Sequence, residues 1–85
     1  MDSPTQFEKY GFYVYTQGLE KGLGIVIFDI TDTDIDCVKY NVGYTERVSL
    51  NKSDLQVLLQ KGILQFIQIV PKFVRKDLAK AFYKK

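Results

Sequence analysis

Asn51-Lys-Ser-Asp54-Leu-Gln-Val-Leu-Leu-Gln60-Lys-Gly-Ile-Leu-Gln65-Phe-Ile-Gln-Ile-Val70-Pro71 is the stretch on which the fold turns. Asn is a favoured N-cap, and Asp54, three residues on, puts an acid in the first turn, where the helix dipole favours it. Leu55, Leu58, Leu59, Gly62, Ile63, Phe66, Ile67 and Val70 then recur at steps of three and four. That spacing predicts a helix over about 51–70, against the strand-like look of Ile63 to Val70. Gly62 reads as a close-approach point within the stripe, at about 1 kcal/mol of helix propensity relative to alanine. Val57 and Leu64 add a second small apolar patch on the polar side. A helix with surplus apolar surface covers its own sheet and touches something else. A homodimer through the helices is expected, with Val57, Leu58, Gly62, Leu64 and Phe66 at the interface. Pro71 lacks an amide hydrogen and disfavours helix at the residue before it, so it ends this helix and can open the next.

Upstream the hydrophobic period changes to two. Phe12-Tyr-Val-Tyr-Thr16 is aromatic and β-branched, as strands are. Gln17 to Gly24 holds three glycines and reads as a hairpin loop. Ile25-Val-Ile-Phe-Asp-Ile30 is nearly continuously apolar, the mark of a buried strand. Cys37 to Tyr44 alternates, with Val38, Tyr40, Val42 and Tyr44 on one face and Cys37, Lys39, Asn41 and Gly43 on the other. Arg47-Val-Ser-Leu50 continues that strand or makes a fourth, and Phe7 to Tyr10 is a candidate short strand. Beyond Pro71, one face of a short amphipathic helix carries Phe73, Val74, Leu78, Ala81 and Phe82. The chain thus reads as one domain over 1–85: a sheet over about 7–50, a long helix over about 51–70 and a basic amphipathic helix over about 71–85. This is an α+β domain of two layers.

Eighty-five residues support one core, and a chain this short buries only about 60–65% of its unfolded surface, so association with another chain is expected. The chain has one cysteine, Cys37, and no histidine. An intramolecular disulfide, a tetrahedral zinc site and an imidazole base paired with serine or cysteine are all excluded. No enzyme activity, metal or cofactor is expected. The opening residues, MDSPTQFEKYG, lack the basic and apolar regions of a signal peptide, and no run of eighteen apolar residues occurs, so no membrane association is expected. A lone free thiol suits a reducing compartment. The expected location is cytoplasmic, or nucleoid or nuclear with nucleic acid, rather than secreted.

Charge is divided unevenly. Residues 71–85 hold six basic side chains against Asp77, a net +5 in a chain of net +2, which leaves −3 for residues 1–70. Such asymmetry suggests a basic surface for an anionic partner, although a solvated lysine-rich helix gives the same pattern. Five of the six tyrosines (Tyr10, Tyr13, Tyr15, Tyr40 and Tyr44) lie in the predicted sheet. Aromatics interspersed with lysine or arginine on an open sheet face bind unpaired bases, at about 1–3 kcal/mol of stacking per base. The candidate nucleic-acid-binding residues are Lys9, Tyr13, Tyr15, Gln17, Lys21, Lys39, Arg47 and Lys52. The plainer alternative is that tyrosines fill a half-buried sheet surface, as their β propensity allows. Asp32-x-Asp34-x-Asp36 lacks the glycine and glutamate of a calcium loop and reads as an acidic turn. Cys37 has no histidine partner and reads as a small buried side chain.

Phe7 with Lys9 and Gly11, Tyr13-Val14, Ile27-Phe-Asp-Ile30, and Val48-Ser-Leu-Asn51 with Leu55 and Leu58 follow in an order that resembles the positive cofactor four family. These are single-stranded-DNA-binding transcriptional coactivators with relatives in bacteria and phages. The resemblance spans about residues 7–66. It implies a strongly curved antiparallel sheet of about four strands, backed by a helix that pairs across a two-fold axis, with single strands or melted duplex along the concave face. The family's stacking phenylalanine falls near Leu19, the basic residue before it near Gln17, its tryptophan near Asp34, and a lysine near Glu46, with Arg47 adjacent. Tyr13, Tyr15, Lys39 and Arg47 are therefore assigned from sheet parity instead. The function expected is a homodimeric, sequence-tolerant single-stranded DNA-binding protein of transcription, replication or recombination, with RNA as a further possible ligand. The alternative is a small interaction or inhibitor module that docks through its apolar or basic helix.

Overall fold

The computed structural model describes residues 7–41 and 44–82. Val42, Gly43 and residues 83–85, with the sequence expectations that fall on them, lie outside the described residues. In chain order the elements are β1 (Gly11–Tyr15), β2 (Gly24–Ile30), β3 (Asp34–Asn41), β4 (Tyr44–Asn51), α1 (Lys52–Gln60), β5 (Leu64–Ile69) and α2 (Lys72–Phe82). The strands form one antiparallel sheet in the order β4-β3-β2-β1-β5. The α+β class and a sheet of roughly the expected size are thus present. The sheet is not clearly curved.

The long helix over 51–70 is not formed. Asn51 caps α1 as its sequence position suggests, its side-chain oxygen accepting the Asp54 N–H at 3.1 Å. The helix then stops at Gln60 because Gly62 takes the left-handed conformation, with φ +78°. The Gly62 N–H donates to the Leu59 carbonyl at 3.2 Å and the Ile63 N–H to the Leu58 carbonyl at 3.0 Å. That pair of bonds is a Schellman cap, and it satisfies carbonyls that a continuing helix would have used. Leu58 and Ile63, the two residues such a cap brings together, both pack against the same apolar core. Thr16 holds the turn to the end of β1: its N–H donates to the Ile63 carbonyl at 2.7 Å and its hydroxyl lies 2.9 Å from the Gly62 carbonyl. Residues 64–69 then pair with β1 as a fifth strand, Leu64 opposite Tyr15 and Phe66 opposite Tyr13, with a bulge before Gln68.

The early stop also breaks up the continuous helical stripe on which the expected helix-to-helix dimer seam depends. Gly62 ends α1, Leu64 is fully buried in the core, and Leu58 is half-buried against it. Of the five expected interface residues, Val57 and Phe66 remain substantially exposed.

Strand parity divides the core into two, and the expected two layers become three. On one face Tyr13, Tyr15, Ile25, Ile27, Ile35 and Cys37 pack under Leu55 of α1, with Leu64 beside them. On the other, Val26, Phe28 and Val38 pack under Leu78 and Val74 of α2. β2 is buried on both sides over Gly24–Phe28, which accounts for its unbroken apolar run. α2 is anchored at its start. The Val70 N–H donates to the Tyr10 carbonyl at 2.8 Å, and Arg75 Nε donates to the Val70 carbonyl at 2.9 Å. The Arg75 guanidinium also lies 4.2 Å from the centre of the Tyr10 ring, which meets Phe28 edge-on at 5.7 Å.

Replacing Gly62 by alanine meets no atom within 4 Å, so its cost comes from the left-handed backbone. Gly62→Ala should lower the unfolding free energy by about 1–2 kcal/mol in urea denaturation, and Gly62→Asn by less.

Candidate nucleic-acid interface

The sheet face that parity assigns to Tyr13 and Tyr15 is the one α1 covers. Tyr13 is 1% exposed and Tyr15 8%. The Tyr13 ring lies between Phe7 and Phe66, at 5.4 and 5.3 Å, and its hydroxyl accepts the Glu8 N–H at 2.9 Å. Burial raises the pKa of both phenols. These are core side chains, and no base reaches them. The plainer account of the tyrosines is the correct one at these two positions.

The basic candidates do not converge. Lys9 is exposed in the turn before β1, 5.4 Å from the Tyr10 ring centre, and Gln17 and Lys21 are exposed in the loop between β1 and β2. Leu19, where the resemblance places a stacking phenylalanine, is fully exposed in that loop. Lys39 follows the parity of Cys37 onto the α1 side, opposite Glu46. Lys52 is half-buried: its N–H donates to the Thr33 carbonyl at 2.9 Å, and Nζ lies 3.4 Å from the Thr31 carbonyl. It braces the acidic turn, which is closed by the Thr31 hydroxyl accepting the Asp34 N–H at 2.9 Å. Arg47 is exposed on the α2 side, opposite Val38.

The α2 side holds a different constellation. α2 packs across β3 and β4, and an apolar groove of about 400 Å³ opens between it and the rest of the sheet. Its sheet wall is Phe12, Val26 and Gln68, and its helix wall is Phe73, Val74 and Leu78. The Phe12 ring lies over Gly24, where a Cβ would come within 2.5 Å of it. Tyr40 also lines the groove and is 49% exposed, while Phe73 is 73% exposed. Lys72 and Lys76, one helical turn apart, and Lys80 a turn further on are exposed on α2. Arg75 is committed to Val70 and Tyr10 and serves the fold.

Tyr40 and Phe73 were missing from the sequence-derived set. The charge run over 71–85 and the position of Tyr40 on the Val38 face were both visible, but nothing in the chain set α2 over that face. No family model, curated protein or solved structure matches this chain.

Two outcomes follow from the burial. Tyr13→Ala should cost about 3–5 kcal/mol of stability by chemical denaturation, the usual penalty of truncating a core aromatic. Burial, reinforced by nearby Asp36, pushes the Cys37 thiol up from 9.0 to about 12. The unfolded chain therefore loses this proton first as pH rises, and stability present below pH 9 drains away toward pH 12. The denaturation midpoint should fall across that window, and Cys37→Ala should flatten part of the fall, the rest belonging to Tyr13 and Tyr15.

Proposed function

We propose that the protein binds single-stranded DNA with little sequence preference, in the groove between α2 and the sheet, in transcription, replication or recombination. The observation that carries this is the pairing of two exposed aromatics, Tyr40 and Phe73, on one apolar groove whose helix wall also carries the exposed Lys72, Lys76 and Lys80 on its solvent side. A base has a π-face whatever its identity, so an aromatic-lined apolar slot holds it without reading its edges. The exposed lysines of α2 attract the phosphate backbone toward this side of the molecule, with Arg47 on the same side of the sheet. The N-terminal turn of α2 contributes Phe73 to the groove and contains no acid, so the positive end of the helix dipole adds to that attraction. The resemblance to the positive cofactor four family supports the ligand class, with the binding surface moved from the tyrosine face to the opposite one.

The lining of the groove is largely apolar, which also favours a competing role as a docking site for a protein segment. Fluorescence anisotropy of a labelled oligonucleotide at two salt concentrations, competed with duplex and with RNA, separates the two. Saturable binding weakened by salt and poorly competed by duplex is expected. Tyr40→Ala and Phe73→Ala should each weaken it by about 1–3 kcal/mol. Lys72→Gln combined with Lys76→Gln should reduce the slope of log K against log salt by about 1.4. No binding at low salt rejects this function and leaves the protein-docking role, and unchanged affinity in both aromatic variants rejects the groove as the binding site.

A further inference from the structure

The two edges of the sheet differ in kind. β4, at one edge, carries Glu46 and Arg47, charges of the type that discourage strand addition. β5, at the other edge, reads Leu-Gln-Phe-Ile-Gln-Ile and carries no charge. Phe66, Ile67 and Ile69 on it are 40%, 50% and 44% exposed. Among the described residues no strand pairs with the outer side of β5, so its outward N–H and C=O groups face solvent beside those three apolar side chains.

We propose that β5 pairs antiparallel with β5 of a second copy, joining two five-stranded sheets into one of ten strands. An antiparallel edge is its own complement, because two-fold rotation sets each outward donor against an acceptor of the same strand. Charge favours the same occupant. An uncharged edge meets no like charge in its copy, and a pairing centred on the strand sets Gln65 opposite Gln68 of the copy, within reach of a hydrogen bond, whereas an acidic or basic peptide finds no partner charge there. The three side chains expose on the order of 250 Å² of apolar surface per copy, about 500 Å² for the pair, so the association is weak and transient and the six-residue backbone ladder carries much of it. The bulge before Gln68 sets Ile67 near the middle of the strand as the extra residue. Gln68 is shared with the sheet wall of the groove under α2, whereas Tyr40 and Phe73 lie outside the pairing strand.

Sedimentation equilibrium over a roughly hundredfold concentration range reaching the high micromolar tests it. The mass should rise from 9.8 kDa toward twice that value, and deuterium uptake by residues 64–69 should slow in parallel. Ile67→Lys, with its fold checked by circular dichroism, should raise the dissociation constant about tenfold or more. Ser49→Lys, which adds the same charge to the opposite edge, should leave it in place. A wild type that stays at 9.8 kDa throughout overturns the proposal and leaves the edge to a foreign strand. So does equal weakening by both lysine variants.

Discussion

The left-handed residue at Gly62 is the constraint on which the rest of this structure depends. With φ at +78° and two capping bonds back to Leu58 and Leu59, it stops α1 after nine residues and reverses the chain onto the edge of β1. Without that reversal, residues 63–70 would extend α1 and the Tyr13 side of the sheet would lose its fifth strand. With it, Leu64 closes the core beside Tyr15, Phe66 meets Tyr13 edge-on, and the chain arrives at Val70 on the far side of the sheet. Thr16 reinforces the turn from the other strand, so the cap is held by tertiary contacts as well as by its own geometry.

Delivery of the chain to Val70 decides where α2 goes. Val70 and Tyr10 share a backbone bond, Arg75 closes onto both, and Tyr10 is held at φ +66°, an uncommon conformation for an aromatic residue. Strain of this kind persists only where surrounding bonds over-determine it. The result is a sheet with a helix on each face. The groove follows from a mismatch of coverage: α2 comes closest to β3 and β4, and the groove opens along its flank at Phe12, Val26 and Gln68.

Much of the fold was legible in local pattern. The strands at 12–16, 25–30 and 37–44, the Asn51 cap and the amphipathic helix after Pro71 all have counterparts within a few residues of the expected places. Residues 63–70 were not legible in the same way, because Ile-Leu-Gln-Phe-Ile-Gln-Ile-Val satisfies a helical stripe and an alternating strand together. The Lys61-Gly62 step was the available signal for a stop, since glycine just past the last helical residue marks a cap as often as it marks a packing notch. The candidate site fared worse, because sheet parity groups Tyr13 with Tyr15 correctly without saying which face a helix will cover.

Composition and spacing by themselves determined a small α+β chain with a buried central strand, no histidine, one cysteine and a basic C-terminal segment. These follow from residue identity and short-range periodicity, although the burial of β2 is completed by the helices that cover its two faces. Tertiary structure decided the rest: that an ambiguous segment becomes β5, that Tyr13 and Tyr15 are interior, and that Tyr40 and Phe73 share a groove. The physical reason is that a helix and a strand compete for the same apolar residues. The free edge of β1, more than forty residues away in sequence, supplied the hydrogen bonds that settled the competition.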